Sequence, residues 1–156
     1  MDALSPVRLH HDSAEVPEVL RLIRSTFAYM DGRIDPPTSM HRLSEDDIRR
    51  TCQTGEVWTI GAPPQACVFL TPMENVLYLG KLAVSPSHRG AGLARRLVQT
   101  AEERARALGR TALELEVRIE LVENQAAFAR MGFETTAEGA HDGYDRPTFV
   151  IMRKTF

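Results

Sequence analysis

Residues 87–98 read SHRGAGLARRLV and follow an apolar run that ends Leu82-Ala83-Val84. Ser85-Pro86 breaks that run, and a helical pattern starts a few residues later, so the stretch marks a strand passing into a helix. Two glycines in the first turn are costly, since each loses up to about 1 kcal/mol against alanine. Two readings account for them. Either Gly90 supplies a positive φ and Gly92 packs against the strand, or both keep side chains away from a bound group. A helix N-terminus presents unpaired N–H groups and roughly half a positive charge, which suits an anion. Arg89 adds a charge-assisted donor beside it. The nucleotide P-loop is excluded, because Leu93-Ala94 follows Gly92 where that motif needs a lysine and a hydroxyl residue. The dinucleotide fingerprint is excluded as well, because Arg95 stands where its third glycine or alanine belongs.

Outward from this stretch the chain reads as alternating strands and helices. NVLYLGKLAV (75–84) is a long strand, and EVWTI and QACVFLT flank Gly61-Ala62-Pro63-Pro64 as a hairpin. Earlier, Ser44 caps a helix that Gly55 ends, with Leu43 and Ile48 as a hydrophobic staple. Asp12-Ser13-Ala14-Glu15 has a capping-box pattern, and Val16, Val19, Leu20, Ile23 and Phe27 predict a helix over 14–30. PVRLHH is a short first strand, and MDGRIDPPTSMH (30–41) is an ordered loop. Downstream, a helix from about 91 to 108 buries Leu93, Leu97, Ala101, Ala105 and Leu108, and Gly109 stops it. TALELEV (111–117) is a strand, 122–130 is a short helix closed by Gly132, and the last strands begin at Phe133 and span 147–154. The order βααβββαβαββ predicts a mixed α/β fold, a mostly antiparallel twisted sheet flanked by helices. At 156 residues the expectation is a single domain over 1–156.

Composition narrows the function classes. The formal charge is −2 at pH 7, which argues against a nucleic-acid binder. No apolar run approaches the roughly 20 residues of a membrane span, and the start lacks the pattern of a secretory signal. A cytoplasmic protein without a membrane partner is expected. Cys52 and Cys67 lack metal-ligand spacing and are expected to be reduced, so no metal site is expected. Neither cysteine has a motif-like histidine partner, so no covalent nucleophile is expected.

What survives is Arg89-x-x-Gly92-x-Ala94 directly after a strand. Here the sequence resembles the GCN5-related N-acetyltransferases (GNAT), whose acetyl-CoA motif is [RQ]-x-x-G-x-[GA] between the fourth strand and third helix. Element order agrees from residue 7 to 154, and ARMGF (129–133) resembles the family's closing Gly-Phe. The resemblance implies that acetyl-CoA is the acyl donor and that its pyrophosphate sits on the turn Arg89, Gly90, Ala91, Gly92, Leu93 and Ala94. It implies further that Leu82, Ala83 and Val84 pair with the pantetheine arm, beside a bulge whose free N–H binds the developing oxyanion. Two positions depart from the family. Phe128 stands where a tyrosine often protonates the CoA thiolate, a step worth only about 2 kcal/mol at pH 7 for a thiol of pKa about 8.5. Solvent or another hydroxyl, such as Tyr144, then takes that part. Leu121 occupies the family's asparagine position, and Asn124, one helical turn on, either contacts CoA or is a plain polar residue at the helix start.

The resemblance implies direct transfer of an acetyl group to the amine of a small polar acceptor. The attacking amine must be neutral, so a base or a proton path is needed. Glu120, His141, Asp35 and His41 are the candidates. The loops 30–41 and 140–147 cover the acceptor by analogy, with Asp35, Ser39 and His41 on the first and His141 and Tyr144 on the second. Lys81 shares a strand face with Ala83 and either favours a carboxylate on the acceptor or reaches solvent. The rival reading is a non-catalytic CoA-binding or regulatory module, favoured by Phe128 and the displaced asparagine. A homodimer is expected from the family's habit.

Overall fold

The computed structural model describes residues 4–156; residues 1–3, the start of the expected domain range, lie outside the described residues. The elements are β1 (Val7–Arg8), α1 (Val16–Phe27), α2 (Glu45–Thr54), β2 (Glu56–Ile60), β3 (Ala66–Pro72), β4 (Val76–Val84), α3 (Leu93–Ala107), β5 (Ala112–Arg118), α4 (Val122–Arg130), β6 (Glu134–Gly139) and β7 (Phe149–Thr155), in the expected order. The strands form one sheet, β1-β2-β3-β4-β5-β7-β6. Every pairing is antiparallel except β4 with β5.

Two apolar cores lie on the two faces of this sheet. Ala66, Val68 and Leu70 of β3 join Leu93, Leu97 and Ala101 of α3 in one core. Cys67 and Phe69, the alternate positions, join Val19 and Ile23 of α1 and Ile48 of α2 in the other. This is the period-two alternation of a strand buried on both sides.

Several local expectations change. The first strand shortens to two residues, although Leu9 N–H still donates to Val57 O at 2.7 Å. The capping box at Asp12–Glu15 does not form. Asp12 bonds His10 Nδ1 at 2.5 Å, Ser13 Oγ accepts from Glu15 N–H at 3.1 Å, and Glu15 becomes the N-cap without a side-chain bond. Helix α1 therefore starts at Val16, with Pro17 in its first turn, where a missing N–H costs nothing, and Ala28–Met30 tighten into a 3-10 turn. Helix α2 keeps its box: Ser44 Oγ accepts from Asp47 N–H, and Asp47 accepts from Ser44 N–H.

The feature that positions the site is in β4. Opposite Val68, β4 carries one extra residue, because Cys67 pairs with Ala83 and Phe69 with Gly80. Lys81 takes the left-handed conformation there, with φ 51°. A bulge of one residue flips side-chain parity. Leu77 and Leu79 face α3 before it, and Leu82 and Val84 face the same way after it, while Lys81 and Ala83 share the α1–α2 face. Just before the bulge β4 leaves β5: only Val76–Tyr78 pair with Ala112–Glu114.

Candidate active site

Two clefts open where β4 and β5 part. The first, about 650 Å³, is lined by the end of β4, the turn before α3, and the facing side of α4. Gly90 and Gly92 form that turn with φ of 84° and 77°. Left-handed backbone is enough to call for glycine at both positions. A Cβ built on either would meet no atom within 4 Å, so the space over the turn is also open. Gly90 thus supplies the positive φ expected of it, whereas Gly92 does not pack against the strand: it too is left-handed, and open space lies above it. Helix α3 has no side-chain cap and no acid in its first turn, so its first N–H groups point into the cleft's mouth without a partner of opposite charge.

Cations surround this turn. Arg33, Arg89, Arg95 and Arg130 line the cleft, with Glu123 as the acid among them. Glu123 is already committed to Arg33 at 2.5 Å. The Arg33 and Arg89 guanidinium groups lie over the Tyr29 ring, 5.5 and 5.8 Å from its centre, a cation–π arrangement that holds them at the cleft wall. Tyr29 Oη accepts from Asn124 Nδ2 at 2.9 Å. Sequence reading missed Tyr29 and Arg33, because nothing local separates them from any loop aromatic and arginine.

The second cleft, about 320 Å³, threads the splay between β4 and β5. Tyr78, Gly80 and Lys81 line it from β4, Glu116 and Arg118 from β5, and Ser39 and His141 from the two covering loops. Burial, helped by the Glu116 and Glu114 carboxylates, pushes the Tyr78 phenol up to about 12. Burial likewise lowers the Lys81 ammonium, against the opposing pull of Asp47. Glu116 is a residue that sequence reading did not single out. Only the splay turns it toward a cavity. Phe27, Leu82, Asn124 and Phe128 line both clefts, so the two are continuous there.

The expected site residues divide clearly. Arg89, Gly90, Gly92, Leu93 and Ala94 lie on the first cleft with Leu82, Val84 and Asn124, whereas Ala83 is buried in the α1–α2 core and Ala91 is off the lining. Lys81, Ser39 and His141 lie on the second cleft. His141 Nδ1 is 2.5 Å from Thr148 Oγ1, which leaves Nε2 as the uncommitted ring nitrogen. Phe128 stacks edge-on against Phe133 at 5.6 Å. Glu120, Asp35 and Tyr144 line neither cleft and instead form a latch between the loops. Tyr144 donates to Asp35 Oδ1 at 2.5 Å, Arg146 to Asp35 Oδ2 at 3.0 Å, and Asp35 N–H to Glu120 Oε2 at 3.0 Å. The hydrogen bond to Asp35 raises the Tyr144 phenol above its ordinary pKa. Arg118 completes the latch by donating to the Pro36 and Pro37 carbonyls. His41 points away to Asp31, 2.8 Å from Oδ1. Among the described residues no cluster of three or more His, Cys, Asp or Glu is placed to hold a metal.

Comparison with known proteins bears on this geometry. A family model described as the acetyltransferase (GNAT) family matches residues 25–133. No curated protein matches the chain. Among solved structures, the PaiA N-acetyltransferase of Thermoplasma acidophilum, in complex with coenzyme A, superposes with TM-score 0.78 at 14% identity over 100% of both chains. An acetyltransferase from Streptococcus agalactiae has TM-score 0.73 at 18% identity, again over 100% of both chains. A Bacillus subtilis acetyltransferase in complex with CoA has TM-score 0.69 at 17% identity, over 98% of this chain and 99% of that one. At these identities the likeness is one of fold.

Proposed function

The chain belongs to the acetyltransferase (GNAT) family, a family of acyl-CoA-dependent transferases, and from that premise we propose that it moves an acetyl group from acetyl-CoA directly to the amine of a small polar acceptor. The reading takes residues 1–156 as one catalytic domain. The observation that carries it is the meeting of the two clefts at Phe27, Leu82, Asn124 and Phe128. A cationic cleft ending on a bare helix N-terminus fits a donor with a pyrophosphate, and a polar second cleft fits an acceptor, with one junction where they react.

In this reading the N–H groups of the Gly90–Ala94 turn and Arg89 bind the pyrophosphate, and the splayed edge at Leu82–Val84 guides the pantetheine arm. Acetyl-CoA supplies an activated acyl carbon, whose C–S bond breaks as the C–N bond to the amine forms, with the departing thiolate taking up a proton. Phe128 cannot give that proton. The Tyr144 hydroxyl is engaged by Asp35 outside the clefts, so solvent is the proton source that remains from those considered. His141, with Nε2 uncommitted on the acceptor cleft, takes the proton that the amine sheds. The latch around Asp35 holds the two covering loops together and keeps the acceptor cleft small. No helix among the described residues is long and apolar enough to cross a membrane.

The test has two stages. Acetyl-CoA and CoA should each raise the melting temperature, and ATP should not. CoA thiol release from acetyl-CoA should then depend on an added amine. A melting shift without release for any amine would favour CoA binding without turnover, and no shift would remove the donor assignment.

A further inference from the structure

Two cations, Lys81 and Arg118, and one carboxylate, Glu116, line the acceptor cleft, and Lys81 forms no ion pair with Glu116. Lys81, half-buried at the bulge, places its Nζ 5.3 Å from the centre of the Phe69 ring. The acid that acts on it electrostatically is Asp47, but both Asp47 oxygens are engaged: Oδ2 accepts from Ser44 N–H at 2.9 Å and Oδ1 lies 3.2 Å from Arg50. Among the described residues Lys81 makes no ion pair within 4 Å. A half-desolvated ammonium without a carboxylate partner is unfavourable on its own. It is satisfied when an anion enters the cleft it lines.

Glu116 is the opposite case. It stands on β5 across the splay, close enough to the Tyr78 hydroxyl to affect its ionisation. Lys81 from β4 and Glu116 from β5 thus line one cleft, a cation and a carboxylate on the two strands that part there. Arg118 is held in place by its bonds to the Pro36 and Pro37 carbonyls and already feels the Glu116 carboxylate, which leaves Lys81 as the cleft cation without an acid on the lining acting on it.

Building on the acyl-transfer reading above, we propose that the acceptor is a small aminocarboxylate of the α-amino acid kind, with its carboxylate on Lys81 and its amino group on the Glu116 side of the cleft. A cavity of about 320 Å³ takes a molecule of that size. A polyamine would bring a second cation against Lys81 and Arg118.

The experiment compares free amino acids with their carboxamides, with acetyl-CoA saturating. The wild-type protein should prefer the free acid by 100-fold or more in kcat/KM, mainly through KM. Lys81→Met should cut that preference at least tenfold, Lys81→Arg should retain most of it, and Lys81→Glu should reverse it in favour of the amide. The acetyl-CoA melting shift in each variant establishes that it is folded. Equal turnover of acid and amide by the wild type overturns the inference while leaving acyl transfer intact. So does an unchanged preference in Lys81→Met. Acetyl-CoA binding with release for another amine but for neither series overturns this inference alone, and no release for any amine overturns the acyl-transfer reading and this inference with it.

Discussion

Helix α2 begins with Ser44 capping Asp47 N–H, Asp47 returning the bond, and three acids, Glu45, Asp46 and Asp47, in its first turn. Helix α3 begins with Gly92 in the left-handed conformation, no side-chain cap and no acid, beside Arg89 and Arg95. Both N-termini carry the same unpaired N–H groups and the same partial positive charge. One is neutralised by its own sequence. The other is made more positive and left open to a cleft. A helix end that a protein could have capped cheaply, and did not, identifies where a ligand is expected to complete the structure.

The sharpest way to break this comparison is Gly92→Glu, which puts an acid on the bare terminus. An acetyl-CoA concentration 100 times the dissociation constant adds about 2.7 kcal/mol of stability. That melting shift should vanish in Gly92→Glu. Gly92→Ala separates charge from backbone, since it adds only left-handed strain of about 1–2 kcal/mol. Unchanged acetyl-CoA affinity in Gly92→Glu would reject the turn as the pyrophosphate site.

Next in size is the far end of α3. There Arg104 Nε and Nη2 both bond the Glu56 carboxylate at 2.8 Å, and Trp58 Nε1 adds a third bond at 2.8 Å. Burial works against ionisation of Glu56, but these bonds outweigh it and hold the carboxyl below its usual pKa. Because the folded value is depressed, the stabilisation is full above the unfolded pKa and disappears as pH falls through the folded one. Glu56→Gln should cost about 2–3 kcal/mol in urea denaturation, less than a fully buried pair because Arg104 is partly exposed. It should also flatten the acid limb of the stability profile. Acetyl-CoA affinity should not move, since Glu56 lines neither cleft.

Ser44→Ala should cost about 1 kcal/mol of stability, the ordinary value of an N-cap, again without effect on acetyl-CoA. The hydrogen bonds from Ser44 lower the Asp47 carboxyl, so this variant should lose part of the pH dependence below the carboxylate range. If Ser44→Ala weakened acetyl-CoA binding, the contrast between the two helix ends would fail.

The smallest effect is expected from Asp35→Asn. The latch is exposed, so its ion pair contributes less than about 1 kcal/mol. The phenol of Tyr144, raised by Asp35, should titrate closer to its ordinary value in a spectrophotometric titration. A few-fold rise in acceptor KM at constant acetyl-CoA affinity would show the latch acting on the acceptor side alone.

Much of the architecture was local enough to read. The Ser44 cap, the turn at Gly61–Pro64, the strand alternation and the glycine pair before α3 each depend on residues a few positions apart, where sterics and hydrogen bonding act directly. One local pattern misled. Asp12–Glu15 had the residues of a capping box, yet Asp12 turned to His10, and the helix start moved to Val16. Part of the first cleft was legible for the same local reason, because one turn and one strand end supply nearly half of its wall.

The acceptor side belonged to tertiary structure. Tyr144 and Asp35 are 109 residues apart in the chain, and Glu56 and Arg104 are 48 apart; no periodicity links such pairs. Glu116 alternates like any exposed strand residue, and it lines a cleft only because β4 stops pairing with β5 after Tyr78. Just after that point a single extra residue opposite Val68 shifts the register against β3 and holds Lys81 in a left-handed turn. The sequence by itself determined which elements form and where an anion is welcome, since both follow from neighbours along the chain. Which side chains face each other across the opening depended on the strand register, and only the assembled sheet decides that.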